Sequence, residues 1–331
     1  MEKSSPLNRR VVIGLLASLG FLWLSARNVE FDRAWGYIQT MNAAYLVPYT
    51  VLIAGEVLIR ALKWQVLLAP VKRCSFWKLN SATLIGLMAN NLLPARAGEF
   101  VRAYAGAKLE NISYSMSFAT VVLDRVMDGL TVSAIFLLVV LLQPLPDEIK
   151  AAGYAAAGIY IVALIVLVGL IVRQGDTLAL ISAVLRPFPV GLRQLALRAT
   201  EMFVGGLAVF RSAPLFLAAI LISFAIWVGY ALSLYLIFLA FGLSLSFLHA
   251  FVVLLILTIV LTLPSSPGFV GAMEWAIVFG LQLSGIDESQ SFAVAVVYHI
   301  TQYLPVTLAG LIALWAERLS MTEIAHVAPE K

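Results

Sequence analysis

The sequence predicts an all-α, polytopic membrane protein built as two inverted repeats, each with a Pro/Gly-broken, re-entrant helix pair. Three observations carry this: composition, the length of the apolar runs, and one kind of helix break that occurs twice. Of the residues, 62% are hydrophobic and 12% charged, against roughly 25% charged in soluble domains. Residues 151–172 are charge-free, and a hydrocarbon core of ~30 Å takes about 20 residues to cross. The alternating ~10-residue strands of a membrane barrel are not seen.

The first break follows the charge-free run 79–95, in Asn91-Leu-Leu-Pro-Ala-Arg-Ala-Gly-Glu-Phe-Val-Arg102. Pro94 removes a backbone donor and Gly98 loosens the chain, so a helix entering the bilayer stops here. Freed backbone groups at membrane depth need protein or a wet cavity around them. Arg96, Glu99 and Arg102 follow at once, and ionisable groups at such a depth point to function. The second break, Leu263-Pro-Ser-Ser-Pro-Gly-Phe-Val-Gly-Ala-Met-Glu274, repeats the pattern with Pro264, Pro267, Gly268, Gly271 and an acid. Downstream, Ser117-Phe-Ala aligns with Ser291-Phe-Ala, which sets Arg125 opposite His299 and Asp128 opposite Gln302. Paired, interrupted apolar segments in two halves point to a transport site between repeats.

Taken in order, residues 11–26 after Lys3, Arg9 and Arg10 predict a retained first helix. A short connection follows, with Trp35 and Tyr37 suited to an interface. Residues 43–59 form a second span, in which Glu56 and Arg60 are spaced as an i, i+4 pair that can neutralise itself. The stretch 60–78 holds Arg60, Lys63, Lys72, Arg73 and Lys78 without an acid, so it reads as a cytoplasmic loop. If segment 79–111 turns back to the same side, the basic residues of 173–211 also fall inside; a full crossing would invert the charge bias. Spans 117–142, 151–172 and 214–241 come next, then a second re-entrant segment at 247–286 and a last span at 289–316. Both termini are then cytoplasmic. One integral domain is expected over 1–331, with repeat one at 11–142 and repeat two at 151–316. The arginines of 173–211 suggest a helix lying on anionic lipid.

Cys74 is the lone cysteine, so there is no disulfide framework, and His249, His299 and His326 are too scattered for a metal site. No cofactor is implied, and a net charge of +4 confined to loops speaks to topology and not to nucleic acid. Asp124, Arg125 and Asp128 share a helix face within an apolar run, followed by uncharged residues. Two readings stay open: a charge cluster pinning the broken helix to its neighbour, or an anion site. Arg96, Arg102 and Arg125 would supply the bidentate forks that suit a phosphate. Glu99, Asp124, Asp128, Glu274 and His299 would balance them, gate, or carry a proton; for Glu274, helix capping is the alternative.

The first break, Asp124-Arg125, Pro267-Gly268-Phe-Val-Gly271-Ala-Met-Glu274 and Arg60-Ala-Leu-Lys-Trp64 together resemble the lysylphosphatidylglycerol synthase transmembrane-region family. The resemblance covers nearly the whole chain and is most specific at the first break. It implies a flippase-like protein of the inner membrane, whose best-understood relatives move an aminoacylated phospholipid between leaflets. Members that synthesise that lipid carry a further cytosolic domain, which is not expected here. His299 stands where many members would have arginine. The expected function is movement of an anionic or aminoacylated phospholipid, or a lipid-linked intermediate, without enzymatic activity; the oligomeric state is not readable. Alternatives are a membrane partner of lipid-synthesis enzymes and a membrane-embedded transferase using Asp124 and Asp128.

Overall fold

The computed structural model describes residues 9–93, 97–184, 186, 190–262 and 266–327. Pro94, Arg96 and Pro264 therefore lie outside the described residues. Those described form helices and no strands. The helices are α1 (Arg9–Ala26), α2 (Phe31–Thr40), α3 (Leu46–Leu68), α4 (Phe76–Leu92), α5 (Gly98–Glu110), α6 (Tyr114–Leu142) and α7 (Asp147–Val172). Then come α8 (Gln174–Val184), α9 (Val190–Gly206), α10 (Ala213–Ala240), α11 (Phe247–Val260), α12 (Ala272–Gln282), α13 (Glu288–Ala316) and α14 (Met321–Val327). Helices α6, α7, α10 and α13 are long and apolar enough to cross a membrane. The exposed Ile161, Val162, Ile165 and Val166 of α7 present an apolar face suited to lipid.

Two expectations need correction. The connection after α1 is mostly helix α2, with Phe31 edge-on to Phe292 of α13. The second span does not end at 59: α3 runs on to Leu68, so Arg60 and Lys63 are buried helix residues and not loop. The apolar pattern resumes after Lys63 at Trp64, Leu67 and Leu68, all fully buried. Burying that face is worth more than ending the helix at its charges, provided the charges find partners.

Both broken segments are antiparallel helical hairpins. In the first, α4 ends on Leu93 in extended backbone, as the residue before a proline must. The chain then returns with α5 so close to α4 that a Cβ on Gly86 would lie 2.6 Å from the Cβ of Arg102. Asn90 Oδ1 accepts the Gly98 N–H at 2.9 Å and so caps the returning helix across the tip. In the second hairpin a Cβ on Gly280 of α12 would lie 3.0 Å from Val253 of α11. At 1.5 Å per residue, α5 and α12 are only about 20 and 16 Å long, short of a ~30 Å core.

The hairpins enter from opposite ends of the bundle. Near the start of α4, the Ser75 N–H donates to Glu110 at 3.0 Å, while Lys108 meets Glu323 of α14 at 2.9 Å. Gly206 of α9 packs on Met116 at the same end. At the other end, Asn42 N–H donates to Ala240 O at 2.8 Å, Glu30 N–H to Ser289 at 3.0 Å, and Gln290 to Phe241 O at 3.3 Å. The first end carries Lys72, Lys78, Lys108, Arg173, Arg198 and Arg211 with Glu110, Asp176, Glu201 and Glu323. The second carries Glu30, Asp32, Asp147, Glu148, Asp287 and Glu288 with Arg27, Arg33 and Lys150, so the excess is basic at the first and acidic at the second.

Candidate functional site

Between the hairpin tips lies a partly open cavity of about 280 Å³, lined by α3, α4, α10, α11, α13 and the second break. The tips approach each other beside it: a Cβ on Gly268 would sit 3.5 Å from the Asn91 carbonyl, and Asn91 donates to Thr307 of α13 at 2.8 Å. Gly268 has φ +71 and faces Tyr303, so the second tip requires glycine both for its backbone and for space.

The first hairpin is fastened by an ion network. Glu56, Arg60 and Lys63 fall on one face of α3 through i, i+4 and i+7 spacing. Lys63 Nζ lies 2.6 Å from Asp124 Oδ1 and 2.5 Å from Asp128 Oδ1 of α6. Arg102 of α5 reaches Asp124 Oδ2 at 2.7 Å, with its guanidinium 4.3 Å over the Trp64 ring. Arg125 pairs with Glu99 of α5 and lies 3.7 Å from Asp128, as does Arg60. Four cations (Arg60, Lys63, Arg102, Arg125) thus face three carboxylates (Glu99, Asp124, Asp128), and Glu56 brings the sum to zero. Lys63, Arg102, Asp124 and Asp128 are almost completely buried, so their pairing is what makes their burial tolerable.

The second hairpin is fastened by one pair. Glu274, in the first turn of α12, accepts the Gly271 N–H at 2.6 Å, and its other oxygen lies 2.5 Å from His299 Nδ1. His299 Nε2 lies 2.8 Å from the Gly268 carbonyl, which can only accept. Nε2 therefore carries a hydrogen, and the contact at Nδ1 needs one more proton, held by the imidazole or by the carboxyl. Glu274 is a cap and a clamp at once, joining the tip to α13.

Of the arginines singled out in the sequence, Arg102 is sealed behind Asp124 and Trp64, while Arg125 keeps 38% of its side chain exposed. Neither lines the cavity; Arg60 does, with Glu56 and His299. Glu99 lies with Arg125, and Asp124 and Asp128 face Lys63. Sequence reasoning missed Lys63 as the central cation and Glu56 and Arg60 as cavity residues. Glu56 makes no ion pair with Arg60; it accepts from Ser233 of α10 at 2.6 Å, and Arg60 donates to Tyr230 at 2.5 Å. The apolar pattern resuming at Trp64 was the available signal.

These features define a helical membrane protein with two short hairpins meeting at a partly open cavity. The chain belongs to the lysylphosphatidylglycerol synthase TM region family, whose model matches residues 11–310. It is 28% identical over 235 residues to a UPF0104 membrane protein of Methanocaldococcus jannaschii, covering 69% of this chain and 94% of that one. A UPF0104 membrane protein of Methanothermobacter thermautotrophicus is 27% identical over 325 residues, 92% of this chain and 93% of the relative. Glycosyltransferase AglD of Haloferax volcanii is 24% identical over 359 residues, 98% of this chain but 57% of that protein. No solved structure matches.

Proposed function

We propose that this protein moves a lipid between leaflets: an anionic or aminoacylated phospholipid or a lipid-linked intermediate. The observation that carries the reading is the pair of hairpins, with returning helices too short to span, whose tips meet beside a cavity that holds Glu56, Arg60 and His299 among mostly apolar walls. The headgroup enters the cavity while the acyl chains stay in the membrane, so no wide pore is required. The two halves act as repeats of opposite orientation, and rearrangement of the tips exposes the cavity alternately. A non-enzymatic role is supported by Asp124 and Asp128, the candidate catalytic carboxylates, which face buried cations away from the cavity. The longer AglD chain favours, as a second reading, a membrane partner of lipid-synthesis enzymes.

The test is leaflet exchange of fluorescent lipids in liposomes holding the purified protein and no donor substrate. Exchange above that of empty liposomes supports transport; product formed only with an added donor would support an enzyme, and neither would leave the partner reading. The family resemblance implies the inner membrane, and there the positive-inside rule favours a cytoplasmic basic end. Cysteine at Asp147 is then labelled from outside intact cells and cysteine at Arg186 only after permeabilisation; the reverse pattern overturns this orientation.

A further inference from the structure

We propose that the cavity recognises a neutral, hydroxyl-rich headgroup, a sugar or similar polyol, whose hydroxyls donate to Glu56 and accept from the Trp227 indole. This rests on the cavity being the headgroup site, and it turns the substrate of that site from a charged phospholipid to a neutral glycolipid. Two cavity groups have unused hydrogen-bonding capacity of opposite kind. Trp227 Nε1 is buried with no acceptor, and a buried donor left unpaired is costly. Glu56 is 4% exposed, accepts one hydrogen bond from Ser233, and has no ion-pair partner among the described residues.

The cations nearby already have partners of their own. Arg60 donates to Tyr230, lies 5.3 Å from the centre of that ring and is 3.7 Å from Asp128. Both nitrogens of His299 are used by Glu274 and Gly268. A phosphate here would meet the Glu56 carboxylate, and the one cation lining the cavity beside it, Arg60, belongs to a network whose charges already sum to zero. An ammonium would suit Glu56 but leave the Trp227 N–H without an acceptor. A hydroxyl both donates and accepts, so a group carrying several of them satisfies both sites. The amides of Asn90 and Gln302 add donors and acceptors, and Tyr230 and Tyr298 offer ring faces to the apolar side of a sugar. At about 280 Å³ the cavity lies just below the ~300–1,000 Å³ range of small-molecule sites, a size that suits a single headgroup.

The test is native mass spectrometry of the purified full chain with three lipids of identical acyl chains: a glucosyl diacylglycerol, phosphatidic acid and phosphatidylethanolamine. The glucosyl lipid is expected to bind at least ~10-fold more tightly than either, because a site built around hydroxyls rejects groups that leave its polar atoms unpaired. Trp227→Phe should reduce that binding ~5- to 10-fold, the loss of about one buried hydrogen bond, and Glu56→Leu should do the same without raising affinity for phosphatidylethanolamine. Equal or tighter binding of phosphatidic acid or phosphatidylethanolamine overturns the proposal, as does an unchanged affinity for the glucosyl lipid in a folded Trp227→Phe protein. If Trp227→Phe does not fold, the wild-type ranking decides alone. Binding requires no transport, so a protein that prefers the glucosyl lipid but fails the exchange assay overturns the transport reading and leaves this one standing.

Discussion

The two hairpins solve one mechanical problem with different chemistry. Each has a returning helix that starts near mid-bundle, and each ties that helix by an acid to a base on the following long helix: Glu99 to Arg125, and Glu274 to His299. Around the first pair the chain adds Lys63, Arg60, Arg102, Asp124 and Asp128, whereas the second stands alone among apolar packing. The difference teaches which tip is fixed. A network of permanently charged groups has no low-cost way to open, since removing any one partner strands another in the interior. A carboxyl and an imidazole sharing one proton can change state by moving that proton, which suits the second tip to motion.

The largest expected effect breaks the first anchor. Lys63→Ala leaves Asp124 and Asp128 facing each other without their central cation, a cost of about 3–5 kcal/mol. Size-exclusion profiles of the detergent extract should show little monodisperse protein, and Lys63→Ala combined with Asp128→Asn should recover part of it. Wild-type yield from Lys63→Ala alone would refute a structural network.

Next in size is a comparison of hairpin packing. Gly98→Ala drives a methyl into the Gly86 carbonyl and the Asn90 cap, an overpacking cost of ~1–3 kcal/mol. At Gly280 the new methyl meets the Val253 side chain at 3.0 Å and its Cα at 3.3 Å, a far milder contact, and the ~1 kcal/mol gained in helix propensity offsets much of the crowding. Thermal melts should separate the two variants clearly, with Gly280→Ala close to wild type. Equal melting temperatures would mean that the first hairpin is no more tightly packed than the second.

The smallest effect on stability sharpens the comparison most. Glu274→Gln keeps an acceptor for the Gly271 N–H and offers an amide N–H to His299 Nδ1, so its melting temperature should move by less than ~1 kcal/mol implies. It removes the shared proton, so transport in liposomes should lose its pH dependence while lipid binding persists. A Gln variant with the wild-type pH profile would reduce Glu274 to a cap.

Much of this was determined by the sequence alone. Charge-free runs of spanning length dictate helices in a bilayer, and Pro94, Gly98, Pro267, Gly268 and Gly271 interrupt them for local backbone reasons, so class and breaks are legible residue by residue. The alignment of Arg125 with His299 even marked the two bases that meet Glu99 and Glu274. Only the tertiary structure decided which charges pair. Lys63 meets carboxylates 61 and 65 residues away, and Glu56 turns to Ser233, 177 away, instead of to Arg60 one turn along its own helix. A linear reading favours the near partner, and it ends a helix where charges gather. A buried charge is held by whichever partner folding brings within ~3 Å, because only there does the attraction offset the loss of water. That distance is set by the packing of α3 against α6 and α10.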